Sequence, residues 1–166
     1  MLCSVACFVL LTFILFIIRF QLGIFGLARA LFGIVFHEVD SPRGWVSDVR
    51  LFTAADEATG EELGKLYLDP FFRGTKARYF FLSPLARNSM FMGAPIQPTA
   101  WSDEPTPLKF EDALSLVHEL GHALHFLLAK NQLVATHHMP HEVSEVMPQV
   151  CDYAVCFISI MITFYS

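Results

Sequence analysis

The apolar segment LVHELGHALH, residues 116–125, contains His118, His122 and His125 together with Glu119. Residues four apart on an α-helix share a face, so the imidazoles of His118 and His122 can bind one zinc ion at about 2.0 to 2.1 Å. Glu119 projects beside this pair, where its carboxylate can accept a proton from a water molecule that the metal activates. This H-E-x-x-H spacing is typical of metalloproteases and predicts His118 and His122 as metal ligands and Glu119 as general base.

The residues around these polar side chains argue against a helix that only exposes histidines to solvent. Imidazole and carboxylate groups are costly to bury without partners, and the flanking residues are apolar on nearly all sides. Gly121 fits the same interpretation, because a residue without a side chain lets another segment pack against the helix beside the site.

A third metal ligand is needed, because catalytic zinc sites usually have three protein ligands and one open position. The candidates downstream are His137, His138, His141, Glu142 and Glu145. Glu142 and Glu145 are three apart on a predicted short helix, so only one can bind the metal directly. The other can accept a hydrogen bond from a ligand histidine. His125, one turn beyond His122, is expected to support a ligand in this way or to pack in the core rather than to bind the metal. Spacing alone does not choose between the two glutamates.

Two predicted helices position these residues. Apolar residues at steps of three and four predict a core helix of roughly twenty residues, which Thr106 caps and Pro107 begins. The segment NQLVATHHMP, residues 131–140, breaks this helix. A second, short helix then begins at Pro140, and Pro148 ends or kinks it.

The region upstream reads as strands and loop. Residues 48–69 alternate on both sides of a polar turn that contains Gly60, which predicts a β-hairpin. Residues 77–82, ARYFFL, predict a third strand. Residues 93–107, GAPIQPTAWSDEPTP, contain four prolines and predict a loop.

Both ends of the chain are strongly apolar. Residues 2–18 carry no charge, and a helix of that length reaches about 25 Å, slightly less than a bilayer core of about 30 Å. This segment is a membrane-inserting helix, a buried helix of a larger domain or sequence foreign to the native fold. The C-terminal run YAVCFISIMITFYS, residues 153–166, is too short to span a bilayer and has no helical or strand period.

The composition argues against several classes of protein. The net charge is -5 and the eleven basic residues are scattered, so no nucleic-acid partner is expected. Cys3, Cys7, Cys151 and Cys156 lie in the apolar ends and form no C-x-x-C pair, so neither a disulfide framework nor a cysteine zinc site is expected.

Residues 118–125, HELGHALH, resemble the zinc-binding helix of the M3 family of zinc metallopeptidases, whose pattern is H-E-[FML]-G-H-x-[ML]-H. Residues 139–150, MPHEVSEVMPQV, are similar to the family's glutamate region. This resemblance, rather than spacing, matches Glu145 to the third zinc ligand and Glu142 to the acid that precedes it. A further run similar to the family's Y-x-D-x-x-x-R-x-x-K pattern consists of Tyr67, Asp69, Arg73 and Lys76.

The resemblance implies a mainly helical α+β, zincin-like fold. A small antiparallel hairpin sheet would precede the H-E-x-x-H helix and a glutamate-bearing helix, with an apolar helix at the N-terminus. Residues 28–150 would form a partial catalytic domain between an apolar segment, 1–27, and an apolar tail, 151–166. M3 enzymes are several hundred residues long, so we expect this chain to be a fragment of a gene product with weak activity.

The activity implied by the resemblance is that of a zinc-dependent metalloendopeptidase, with one Zn²⁺ per chain, that hydrolyses short peptides. The implied location is mitochondrial or cytoplasmic, with membrane association only through residues 2–18. The alternatives are a non-catalytic zinc-binding remnant of a peptidase, a membrane-embedded H-E-x-x-H protease of another family, and a structural helix protein without metal.

Overall fold

A computed structural model describes residues 17–40, 46, 48–86, 88–96, 109–129 and 139–165. The chain forms helix α1 (Ile17–Phe32), strands β1 (Ile34–Glu38), β2 (Arg50–Asp56), β3 (Glu62–Phe71), β4 (Phe81–Ala86) and β5 (Ser89–Ile96), and helices α2 (Phe110–Leu128), α3 (His141–Ser144) and α4 (Val146–Tyr165). The fold is therefore α+β, as the sequence predicts.

The five strands form one mixed sheet in the order β1-β2-β3-β5-β4. Strands β2 and β3 form the predicted hairpin, and its turn contains Gly60 at a positive φ of 72°. The sheet is larger than the small antiparallel hairpin sheet predicted, and it is mixed rather than antiparallel throughout, because β5 inserts between β3 and β4 and pairs with β3 in parallel. The strand predicted over residues 77–82 begins only at Phe81.

The first part of the predicted loop, residues 93–96, belongs to strand β5 instead. Gly93 and Pro95 favour a loop in the sequence, yet both lie within Ser89–Ile96. Met90, Met92 and Ala94 alternate along this strand and are all buried, so burial of one face outweighs the turn propensity of the residues between them. The remainder of the predicted loop, residues 97–107, lies outside the described residues.

The predicted core helix is confirmed as α2, which packs against β3 and β5. Its buried face and the facing side of the sheet belong to one hydrophobic core, which includes Leu66, Met92, Leu116, Leu120 and Leu124. Lys109 occupies the N-cap position without a side-chain hydrogen bond, whereas Thr106 and Pro107 lie outside the described residues.

The helices after Pro140 differ from the prediction. Helix α3 ends at Ser144, and α4 begins two residues later, so Pro148 lies in the first turn of α4 and ends no helix. Proline is tolerated there because the first backbone N–H groups of a helix have no partner within it. The tail predicted to be without a period is helical as far as Tyr165. Its period is obscured because Cys151 and Val155 face the core while Tyr153 and Phe157, on the exposed side, are also apolar.

A buried ion cluster fixes the connection between β3 and β4. The Asp69 side chain is inaccessible to solvent, and Arg73 donates hydrogen bonds to both of its carboxylate oxygens. The Lys76 ammonium donates to the backbone carbonyls of Asp69 and Phe71 at 2.6 and 2.7 Å and lies 3.1 Å from the Asp69 carboxylate. Three residues of the Y-x-D-x-x-x-R-x-x-K run therefore tie this connection together.

Helix α1 packs at the other end of the sheet. The Phe25 ring stacks on Phe36 of β1 at a centroid distance of 4.3 Å and meets Phe52 of β2 edge-on at 4.9 Å. The membrane segment predicted over residues 2–18 falls almost entirely outside the described residues. None of the helices within the described ranges has the length and apolar character required to cross a membrane.

Candidate metal centre

The structure brings His118, His122 and Glu145 together at one point between α2 and the start of α4. One potential ligand atom from each residue lies within 4.8 Å of the others. The carboxylate of Glu145 faces both imidazoles: its Oε2 is 3.2 Å from His118 Nε2, and its Oε1 is 3.5 Å from His122 Nε2. The two imidazole rings meet edge-on, with centroids 5.0 Å apart.

These separations fit a zinc ion. Ligand atoms bound tetrahedrally at about 2.0 to 2.1 Å lie roughly 3.3 Å from one another, which is close to the two separations between Glu145 and the histidines. Two imidazole nitrogens and a carboxylate oxygen are also donors that zinc accepts readily in catalytic sites. The residues present therefore suit a zinc ion in both geometry and chemistry.

Close packing of α4 on α2 places Glu145 opposite the histidines. A β-carbon built on Gly121 would lie 2.4 Å from the Pro148 Cα and 2.8 Å from its nitrogen. Only a glycine at position 121 leaves room for the backbone of α4 at this distance. The prediction that Gly121 lets another element pack beside the site is confirmed.

Glu119 follows His118 on α2. Its side chain lines two clefts, of about 380 and 330 Å³. Burial raises the pKa of the Glu119 carboxyl above its usual range, and the nearby Glu145 carboxylate adds to the effect, while His118 opposes it. The larger cleft lies between α2 and β4, and its apolar lining includes Phe80, Phe81, Leu82 and Phe126. The carboxyl group therefore sits in a partly dry groove that opens to solvent.

The electrostatics of His122 favour a neutral ring. Burial lowers the pKa of the His122 imidazole, and the neighbouring histidines lower it further, although Glu145 raises it. A neutral imidazole has a free lone pair on one nitrogen, and this is the form in which histidine binds a metal.

The other residues predicted around the site are placed differently. His125 lines the larger cleft with His122, and His141 Nδ1 lies 3.4 Å from Glu145 Oε1 on a side chain that is 83% exposed. Glu142 is exposed, and the structure gives it no ion pair with the described histidines. His137 and His138 lie outside the described residues.

The sequence alone did not single out Asp152. Its carboxylate Oδ2 is 2.8 Å from Nδ1 of His118, on the opposite edge of the ring from Glu145. The signal was its position seven residues after Glu145, about two turns along a helix, which places both acids on one face. The apolar run that follows Asp152 has no helical period in the sequence, which hides this signal.

Comparison with known proteins places the chain in a family. The sequence pattern of peptidase family M3 matches residues 17–160. A probable thimet oligopeptidase of Arabidopsis thaliana is 37% identical over 112 residues, which cover 61% of this chain and 16% of that protein.

Two further relatives from Arabidopsis thaliana are a probable cytosolic oligopeptidase A and a chloroplastic/mitochondrial organellar oligopeptidase A. Each is 29% identical over 123 residues, which cover 65% of this chain and 17% and 15% of the two proteins. The chain therefore spans about a sixth of the length of these relatives. The family pattern extends over most of α1 to α4, and the chain belongs to peptidase family M3.

Proposed function

We propose that this chain carries the zinc centre of a metalloendopeptidase that hydrolyses peptide bonds in short peptides. His118, His122 and Glu145 would hold one Zn²⁺. The observation that carries this proposal is the convergence of their ligand atoms within 4.8 Å, beside Glu119, in a chain of family M3.

When bound, zinc would supply Lewis-acid chemistry that polarises the peptide carbonyl and makes water more acidic. Glu119 then acts as general base, accepting a proton from the attacking water and delivering it to the leaving amine nitrogen. The raised pKa of Glu119 supports this role, because a general base is most effective when its pKa is near the working pH.

The lining of the larger cleft supports the proposal that the substrate is a peptide. Aromatic and aliphatic side chains line it on the β4 side, and Glu119 and His122 line it on the α2 side. An apolar peptide side chain can occupy the β4 side while the scissile bond lies next to Glu119. The relatives include proteins named as cytosolic and as chloroplastic/mitochondrial, and we infer a mitochondrial or cytoplasmic location for this chain.

The test is the zinc content of the purified chain, measured by elemental analysis for the wild type and for Glu145→Ala. We expect about one zinc per wild-type chain and markedly less in the variant. Glu111→Ala, which removes an exposed carboxylate from the first turn of α2, is the control and should keep its zinc. A folded wild-type chain without zinc would contradict the proposed site.

Glu119→Gln separates metal binding from catalysis. We expect this variant to retain zinc and to lose cleavage of a fluorogenic short peptide, because the base is removed while the ligands remain. Cleavage at the wild-type rate would contradict the role of Glu119. A zinc-loaded wild type without cleavage would favour the non-catalytic alternative.

A further inference from the structure

Helix α4 contributes a second carboxylate to the metal centre. Asp152 Oδ2 lies 2.8 Å from Nδ1 of His118, whereas Glu145 Oε2 lies 3.2 Å from Nε2 of the same ring. The two nitrogens are on opposite edges of the imidazole, so Asp152 contacts one edge of the ring and Glu145 contacts the other. Of these two acids, Glu145 also faces His122 and is the shared ligand, whereas Asp152 forms an ion pair with His118 and with no other histidine of the described ranges.

The chemistry of this contact determines which nitrogen of His118 is free. An ionised carboxylate oxygen can only accept a hydrogen bond, so Nδ1 of His118 must be the donor. A neutral imidazole with its proton on Nδ1 has its lone pair on Nε2. That is the nitrogen directed toward Glu145 and the point where the three ligand atoms converge.

The environment of Asp152 strengthens this assignment. Its second oxygen, Oδ1, is buried and has no hydrogen-bond partner among the described residues. The bond to His118 is therefore the polar interaction that orients the carboxylate. The neighbouring Cys151 is buried in the core, so the backbone that carries Asp152 is held in place by packing.

We propose that Asp152 is a positioning residue that holds His118 in the tautomer and ring orientation in which Nε2 binds zinc. This inference rests on the proposed function. It concerns a group that contacts a ligand histidine rather than the metal, and it assigns to Asp152 the hydrogen bond that the sequence predicts for Glu142 or His125.

The first measurement is zinc affinity, determined for the full chain by competition with a chromophoric chelator. Loss of a hydrogen-bond partner of a ligand histidine typically weakens metal binding about 10- to 100-fold, and we expect such a loss in Asp152→Ala. Asp152→Glu retains a carboxylate and should recover most of the affinity. The control, Asp112→Asn, removes a carboxylate from the first turn of α2 and should bind zinc as the wild type does.

The second measurement separates positioning from a general loss of structure. With excess zinc, so that every variant is loaded, the ring N–H groups are observed by nitrogen-15 NMR. In the wild type, the proton on His118 Nδ1 should exchange slowly and resonate downfield because Asp152 accepts its hydrogen bond. Asp152→Ala should remove this resonance and leave the signals of His122 unchanged.

The outcomes are distinguishable. Wild-type affinity in Asp152→Ala, or a His118 ring proton that is unaffected, would overturn the positioning role while leaving the zinc site intact. Reduced affinity that Asp152→Glu does not recover, with disturbed His122 signals, would indicate a structural role and also overturn it. A wild-type chain that binds no zinc would instead contradict the proposed function.

Discussion

The backbone of Pro148 approaches Gly121 so closely that a β-carbon on Gly121 would lie 2.4 Å from the Pro148 Cα. The contact lies next to His122 on α2 and three residues after Glu145, which immediately precedes α4. The distance between α2 and α4 therefore sets the distance between the carboxylate and the imidazoles.

We predict that Gly121→Ala destabilises the chain and weakens zinc binding, because the added methyl group must push α4 away. Overpacking of this kind typically costs about 1 to 3 kcal/mol. Urea unfolding and chelator competition measure the two effects. The control is Gly26→Ala in α1, where the new β-carbon meets no atom within 4 Å. Equal zinc affinity in Gly121→Ala and the wild type would show that the helix spacing does not govern the site.

The buried ion cluster gives a second prediction. Asp69→Asn leaves the charges of Arg73 and Lys76 without their carboxylate in a place where the Lys76 side chain is only 7% exposed. Removal of one partner from a buried ion pair typically costs about 3 to 5 kcal/mol, and we expect a loss of that size in urea unfolding.

Glu57→Gln is the matched control for Asp69→Asn. It breaks the pair between Glu57 and Arg29, whose side chains are 41% and 63% exposed. Solvent screens such a pair, so we expect no measurable change in the free energy of unfolding. Equal effects of the two substitutions would contradict the view that burial makes the Asp69 cluster important.

The turn of the β2–β3 hairpin gives a prediction about pH. The backbone N–H and hydroxyl of Thr59 and the backbone N–H of Ala58 donate to the Asp56 carboxylate and hold its pKa below the usual range. A depressed folded-state pKa gives stability that is present above the unfolded pKa of about 3.9 and is lost as the pH falls through the folded pKa.

Asp56→Ala should therefore unfold at lower urea than the wild type at neutral pH, and the difference should shrink below about pH 4. The control is Glu61→Gln, which removes a carboxylate from the same turn but none of the hydrogen bonds to Asp56, and it should unfold at the wild-type urea concentration at neutral pH. A difference for Asp56→Ala that stays constant down to pH 2 would mean that the charge of Asp56 contributes nothing.

The two cysteines in α4 should differ in reactivity. Burial raises the pKa of the Cys151 thiol to about 11, so only about one molecule in a thousand carries the reactive thiolate at pH 8. Cys156 is half-buried and lines the smaller cleft. We expect iodoacetamide to modify Cys156 at least about tenfold faster in the folded chain, as measured by peptide mass spectrometry. In urea the two rates should converge, and equal rates in the folded chain would contradict this account.

The sequence predicts the elements in which the spacing of apolar residues and the turn-forming residues indicate the same secondary structure. Helix α2 has one long apolar face with polar groups at regular intervals, and the β2–β3 hairpin has a clear turn between two alternating segments. Strand β5 and helix α4 were missed. Turn-forming residues interrupt β5, and apolar residues occupy both faces of α4, so tertiary burial decides their structure.

The same division applies to the candidate site. The spacing of His118 and His122 is local to one helix and could be read directly from the sequence. Their meeting with Glu145 depends on how α2 and α4 pack, which Gly121 alone indicates locally, while the choice of Glu145 over Glu142 rests on the family resemblance. The contact between Asp152 and His118 could not be predicted without first knowing that α4 continues through residue 152.

The order of the strands has a consequence for association between molecules. Within the described sheet, the two outer strands are β1, which has only 5 residues, and β4, which contains Pro84. A proline lacks the backbone donor that an added strand would need, and a short strand offers few groups for pairing. Both outer strands are therefore poor templates for β-strands of other molecules, which disfavours aggregation through the edges of this sheet.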